Sequence, residues 1–127
     1  MSYSRLSTIN CEPKSVSDCS VETSLSILGG KWKLKIYKAL RNGSQLRFKD
    51  IKTQLEPISD KTLSAQLREM EEDGLVVRKV YAEVPPRVEY HLTPLGDSLE
   101  DIFLALDQWG KRYNTLNQQK GQGHEIA

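Results

Sequence analysis

The feature that most constrains the fold is a change of hydrophobic period at Gly74. Before it, apolar residues recur at i, i+4 and i+7, the spacing of one face of an α-helix. These residues are Leu63, Leu67 and Met70. After it, residues 75–81 and 87–92 are rich in β-branched side chains and partly alternate, with a proline pair between them. That pattern predicts two strands joined by a stiffened tip, so a hairpin directly follows the helix.

Helical spacing covers most of the remaining chain. One short helix is predicted from Val21 to the glycine pair 29–30, and a second from Trp32 to Asn42-Gly43. A third covers residues 48–55 and stops at Pro57, because the residue before proline is pushed out of the α region. Ser59 or Asp60 can cap the fourth, which carries the stripe described above. The third and fourth helices form a helix-turn-helix.

The last helix is predicted to be long. Thr93 serves as its N-cap and Pro94 as its first residue. It holds more apolar residues than one narrow face needs, so we expect part of it to meet a second copy of the chain. The alternative is a helix that packs wholly on its own domain. The expected dimer interface comprises Leu99, Ile102, Phe103, Leu106, Trp109 and Tyr113.

The chain has 127 residues, which fits one domain. We expect residues 1–17 to form a flexible arm, residues 18–117 the folded domain with its C-terminal helix, and residues 118–127 a disordered tail. The longest apolar run has five residues, 102–106, too few to span a membrane. Without a signal peptide and with two cysteines, the sequence indicates a cytoplasmic protein with reduced thiols and no membrane partner.

Charge is unevenly distributed. The net charge is +1, yet residues 31–52 hold eight bases and one acid, a net +7, which leaves −6 for the rest. Such asymmetry is typical of a basic face for a polyanion, although a lysine-rich solvated helix face gives the same count. If the partner is double-stranded DNA, the candidate phosphate contacts are Lys31, Arg47 and Lys49.

The order of elements predicts an α+β, mainly helical fold: a winged helix-turn-helix with a two-stranded wing and dimerisation helices at both termini. A helix fits the major groove, where base edges differ. On the face opposite its apolar stripe, the fourth helix carries small and hydrogen-bonding residues in its first half. Its second half is rich in acidic residues. An ordinary amphipathic helix is the alternative. The candidate base-facing residues are Lys61, Thr62, Ser64, Ala65 and Arg68.

At the tip of the wing, Arg87 is the candidate for a minor-groove or phosphate contact, since the neighbouring prolines lower its ordering cost. A salt bridge to Glu83 or Glu89 is the rival interpretation. The two tryptophans, Trp32 and Trp109, suit the core or a dimer interface better than a stacking platform.

Nothing in the sequence indicates an enzyme. The only histidines, His91 and His124, lack an evident catalytic partner, and Gly29-Gly30 is no phosphate-binding loop. We expect no catalytic residue, no metal site and no cofactor. The remaining alternative to DNA binding is a winged-helix module used for protein contacts alone.

Several stretches together resemble the HxlR-type family of bacterial winged-helix regulators, relatives of the MarR group. The resemblance covers about residues 19–110 and is carried most specifically by GGKW at 29–32, PPRVEY at 85–90 and LTPLG at 92–96. It implies a homodimeric, DNA-binding transcription regulator, a repressor or an activator, on a pseudo-palindromic operator.

The resemblance also directs attention to Cys19. In many members a cysteine just before the first helix senses electrophiles or oxidants, so an oxidant or small molecule is the implied effector. The usual proline after that cysteine is replaced here by Ser20. A helix N-terminus favours the reactive thiolate, whereas the neighbouring Asp18 opposes it. The alternative is a small residue packed under the arm. Cys11 is either a resolving thiol or a bystander.

Overall fold

The computed structural model describes residues 16–120, and the side chains of residues 19–118. The chain divides into two compact units, the first ending at Asp97 and the second beginning at Ser98. The arm expected at residues 1–17 lies almost entirely outside the described residues. No helix among residues 16–120 is long and apolar enough to cross a bilayer.

The first unit is built from helices around one small sheet. The helices are α1 (Val16–Leu28), α2 (Lys33–Leu40), α3 (Phe48–Leu55), α4 (Asp60–Glu72) and α5 (Pro94–Asp97). Between α4 and α5 lie the strands β1 (Val76–Tyr81) and β2 (Arg87–Leu92). The described part of the second unit contains α6 (Glu100–Lys120). The mainly helical α+β class is confirmed.

The two strands pair antiparallel over their whole length, from Val76 opposite Leu92 to Tyr81 opposite Arg87. Leu46, in the loop before α3, adds a bridge to this sheet: its N–H donates to the carbonyl of Tyr90 (3.0 Å), and its carbonyl accepts the N–H of Tyr90 (2.8 Å). The bridge attaches the wing to the helix-turn-helix. The bridge was not predicted from the sequence, because a single residue in a loop carries no periodic signal.

The core of the first unit joins α2, α3 and α4. Its fully buried side chains come from one face of each helix and from the start of β1: Ile36, Leu40, Ile51, Leu63, Leu67, Met70 and Val76. The stripe predicted on the fourth helix is therefore confirmed as core. Apolar side chains of this size each contribute about 1.5–3 kcal/mol when fully buried, so the stripe holds α4 firmly against its neighbours.

Three boundaries differ from the expectations. Helix α1 begins at Val16, five residues before the first apolar residue of its stripe. The long helix expected after Thr93 is two helices, α5 and α6, separated at residues 98–99. Gly96 has poor helix propensity, and it lies so close to the Leu75 carbonyl that a Cβ would come within 2.2 Å of the oxygen. Finally, α6 continues to Lys120, into the tail expected to be disordered; residues 121–127 lie outside the described part.

Candidate nucleic-acid interface

Helix α4 begins at a side-chain cap. Ser59 precedes it in extended backbone, and the Ser59 hydroxyl accepts the N–H of Thr62 at 3.1 Å. Of the two cap candidates, the structure selects Ser59. The Ser59 hydroxyl also donates to Oγ1 of Thr62 at 2.9 Å, so the Thr62 hydroxyl already has one partner. Thr62 is thereby a helix-start residue as well as a candidate base contact.

The face of α4 opposite the buried stripe is open to solvent. Lys61, Ser64 and Arg68 are exposed, and Thr62 and Ala65 are half-buried at its edges. The spacing i, i+3, i+7 places the three exposed residues in one row along the helix. All five candidate base-facing residues therefore lie on or beside one solvent-facing surface.

The acidic second half of α4 is attached to α2. Nζ of Lys33 lies 2.5 Å from Oε1 of Glu69 and donates to it. The Lys33 side chain is 4% exposed, whereas that of Glu69 is 36% exposed. This ion pair fixes the orientation of α4 relative to the first turn of α2, and it removes Lys33 from the bases available to a partner.

A second ion pair spans the turn between α3 and α4. Nζ of Lys52 lies 2.6 Å from Oδ1 of Asp60, the first residue of α4. The hydrogen bond and negative charge of Asp60 raise the pKa of Lys52 above its ordinary value of 10.5. Lys52 and Lys33 both belong to the basic stretch 31–52, so part of that charge is used inside the fold.

The three candidate phosphate contacts are all exposed. Lys31 lies over the ring of Trp32, 4.8 Å from its centroid, in the loop before α2. Arg47 precedes α3, and its backbone N–H donates to Oδ2 of Asp50 at 3.1 Å. Lys49 is in the first turn of α3. Arg47 and Lys49 therefore lie at the start of the helix that precedes α4 in the helix-turn-helix.

Arg87 is held within the wing. Its guanidinium lies 3.2 Å from Oε2 of Glu83 and 3.3 Å from Oε2 of Glu89, and 4.0 Å from the centroid of the Tyr81 ring. Both ion pairs of the rival interpretation are thus present. Because side chains alternate along a strand, Arg87 and Tyr81 share one face of the hairpin, and Tyr90 lies on the other.

The other face of the wing forms a cleft with α4. Its volume is about 350 Å³, and it is lined by Ser64, Arg68, Glu71, Arg78 and Tyr90. Arg78 is directly opposite the buried Tyr90 in the strand register, so both side chains project to the same face. Arg78 was not among the site residues predicted from the sequence. The signal was available, because Arg78 is two residues from the buried Val76 and so has the same facing.

The expected dimer residues of α6 are mostly exposed in the single chain. Ile102, Leu106, Trp109 and Tyr113 expose between 37% and 60% of their surface, and Phe103 is half-buried. Trp109 and Tyr113 stack with ring centroids 5.5 Å apart. Leu99 is 6% exposed and lies outside α6, so little of its surface remains for a second chain.

Cys19 differs from the expectations in two respects. It is the fourth residue of α1 instead of preceding the helix, and it is disulfide-bonded instead of a free thiol. Its side chain is half-buried, and its carbonyl accepts the hydroxyl of Thr23 at 3.0 Å. The chain's other cysteine, Cys11, lies outside the described residues.

The chain is similar to known helix-turn-helix proteins. The chain matches the HxlR-like helix-turn-helix family over residues 27–118. An uncharacterized HTH-type transcriptional regulator of Methanothermobacter thermautotrophicus is 44% identical over 104 residues, which are 82% of this chain and 79% of that protein.

Two solved structures show the same fold. A protein described as a MarR-family transcriptional regulator from Enterococcus faecalis has a TM-score of 0.73 at 36% identity, with 87% of this chain and 99% of that chain covered. The redox regulator HypR in its reduced form has a TM-score of 0.72 at 39% identity, with 79% and 98% covered. The chain belongs to the HxlR-like helix-turn-helix family and, like the relatives it matches, is an HTH-type transcriptional regulator and not an enzyme.

Proposed function

We propose that the chain binds double-stranded DNA as a homodimer on a pseudo-palindromic operator. The observation that carries the proposal is the solvent-facing row Lys61, Ser64 and Arg68 on α4, set against a fully buried stripe on the same helix. A helix held rigidly by one face and polar on the other suits insertion into the major groove. In that orientation the acidic second half of α4 lies farther from the phosphates than its first half.

The remaining roles follow from position. Thr62 and Ala65 flank the exposed row and complete the proposed base-facing set. Lys31, Arg47 and Lys49 contact phosphates, which fix register without reading sequence. Arg87 approaches DNA from the wing with its charge partly neutralised by Glu83 and Glu89. Its contribution to DNA affinity is therefore smaller than that of an unpaired arginine.

The test is selection of binding sites from a random duplex library, followed by titration of the selected duplex against salt. A palindromic motif with half-sites about one helical turn apart, and a steep fall of affinity with salt, supports the proposal. Weak binding without an enriched motif refutes it and favours a module that contacts proteins alone.

The dimer part of the proposal has its own test. The exposed apolar residues of α6 support it, since water-exposed tryptophan and leucine at this density are unfavourable for a lone helix. Trp109→Glu places a charge among them and is expected to shift the wild-type dimer to monomer in analytical ultracentrifugation. Gln108→Glu, the same charge on the adjacent residue, is the control. A wild-type monomer refutes the dimer.

We further propose that Cys19 makes DNA binding redox-responsive. The disulfide at Cys19 supports this, together with the similarity to HypR, whose reduced and oxidized forms have both been solved. Reduction by a dithiol adds two electrons and two protons and yields two thiols, while the dithiol becomes a disulfide. Because Cys19 is the fourth residue of α1, the change releases a covalent restraint on the start of that helix.

The redox test compares operator affinity with and without a dithiol reductant. The wild type is expected to differ between the two conditions, and Cys19→Ser is expected to show one affinity in both. Ser20→Ala, at the neighbouring exposed position, is the control and is expected to respond like the wild type. If Cys19→Ser still responds to oxidant or reductant, Cys19 is not the sensor.

A further inference from the structure

The cleft between α4 and the wing has a composition that differs from the rest of the candidate interface. Arg68 comes from the exposed row of α4, and Arg78 comes from β1. Among the described residues, neither guanidinium has a carboxylate within ion-pair distance. The wing arginine on the opposite face, Arg87, has two such carboxylates. The cleft therefore keeps two arginine charges available for an external anion.

The charge of the cleft can be counted from its lining. Two arginines and Glu71 give a net +1, which one phosphodiester of charge −1 would balance. The Ser64 hydroxyl supplies a further neutral donor. Arginine suits this ligand, because its planar guanidinium donates two parallel hydrogen bonds to phosphate oxygens. A volume of about 350 Å³ leaves room for a phosphate group with its water.

We propose that this cleft takes one phosphate of the DNA backbone, gripped between Arg68 on α4 and Arg78 on β1. The inference rests on the proposed DNA binding and deepens it, since it assigns Arg78 a contact and changes the role of Arg68. Arg68 positions the protein on the duplex instead of reading a base. Because the two residues lie on different elements, their shared contact also fixes the positions of the wing and α4 on either side of one DNA strand.

The position of the cleft supports this ligand. Ser64 and Arg68 line it from the same helix face that carries Lys61, so a helix lying in a groove brings the cleft to the groove's edge. The phosphates of one strand run along that edge. Arg78 and Tyr90 are on the wing face toward α4, whereas Arg87 and Lys79 are on the other face.

The experiment measures Kd against salt for the wild type, Arg68→Gln, Arg78→Gln and the double variant, on the selected operator and on random duplex. Each phosphate contact contributes about 0.9 to the slope of log Kd against log salt, equal to about an eightfold change in Kd at 0.1 M salt. We expect each single variant to weaken binding to both duplexes alike. The double variant is expected to lose about 0.9 in slope per protomer, because both residues hold one phosphate.

Lys79→Gln is the matched control. It removes a positive charge from the adjacent residue of β1, on the opposite face, where Lys79 lies over the Tyr81 ring. We expect its slope to stay close to that of the wild type. Both arginines are at exposed positions, so we expect each variant to fold. Circular dichroism and thermal unfolding check this.

Four outcomes overturn the inference while leaving the proposed function intact. They are an unchanged Kd for Arg78→Gln, an equal loss of affinity for Lys79→Gln, a loss of about 1.8 in slope per protomer for the double variant, and a loss of affinity confined to the operator. The third means two separate phosphates, and the fourth means that a base is read. If the wild type binds neither duplex, the proposed function fails and the inference fails with it.

Discussion

Replacing Glu69 on α4 by alanine is expected to destabilise the protein far more than replacing its ion-pair partner Lys33 by methionine. The asymmetry follows from burial. The Lys33 side chain is 4% exposed, so its ammonium, left without Glu69, is a buried charge that has lost its carboxylate. The Glu69 side chain is 36% exposed, so its carboxylate, left without Lys33, can be hydrated.

The magnitudes follow from the same numbers. Removing one partner of a buried pair costs about 3–5 kcal/mol, and the partial exposure of Glu69 places Glu69→Ala near the lower end, about 3 kcal/mol. That corresponds to a fall in Tm of roughly 10 °C for a domain of this size. Lys33→Met keeps the apolar stem packed and is expected to cost about 1 kcal/mol or less. The double variant is expected to be about 2 kcal/mol more stable than Glu69→Ala alone.

Urea unfolding at fixed protein concentration measures all three variants. The diagnostic result is the rescue: Lys33→Met stabilises the protein when Glu69 is absent and destabilises it slightly when Glu69 is present. Lys38→Met, at an exposed lysine of the same helix, is the control and should change stability by no more than about 0.5 kcal/mol. A double variant as unstable as the sum of the singles would show that the buried ammonium is not the source of the penalty.

Three further predictions concern stability. Thr93→Val removes a hydroxyl that donates to one backbone carbonyl at 2.5 Å and accepts one backbone N–H at 3.0 Å, so a loss of about 2 kcal/mol is expected in urea unfolding; Thr93→Ser keeps both bonds and should lose much less. Gly96→Ala brings a Cβ within 2.2 Å of the Leu75 carbonyl oxygen and is expected to cost about 1–3 kcal/mol, measured the same way; wild-type stability would contradict that close approach. Because Asp60 raises the pKa of Lys52, the pair's stabilisation is complete below the ordinary pKa of 10.5 and is lost as pH rises through the higher folded value. Lys52→Met should therefore flatten the alkaline limb of the stability profile, and an unchanged limb would refute this.

The wing illustrates the limit of sequence reasoning about the site. Arg87 stands out in the sequence because it follows a proline pair at a turn, and its neighbours Glu83 and Glu89 were recognised as rivals. Which face of the hairpin meets α4 depends on how the sheet packs, and that packing puts Arg78 in the cleft and Arg87 on the opposite side. Alternation along a strand shows which residues share a face, but it does not show which face packs toward α4.

The sequence by itself determined the local structure of this protein. The helical stripe Leu63, Leu67 and Met70, the Thr93 cap and the hairpin after Gly74 each depend on residues within a few positions of one another, so spacing and capping rules suffice. The tertiary structure decided what depends on distant residues: the Lys33–Glu69 pair, the Leu46 bridge to the wing and the cleft that Arg68 shares with Arg78. These contacts join elements that are far apart in the chain, and only their packing determines which side chains meet.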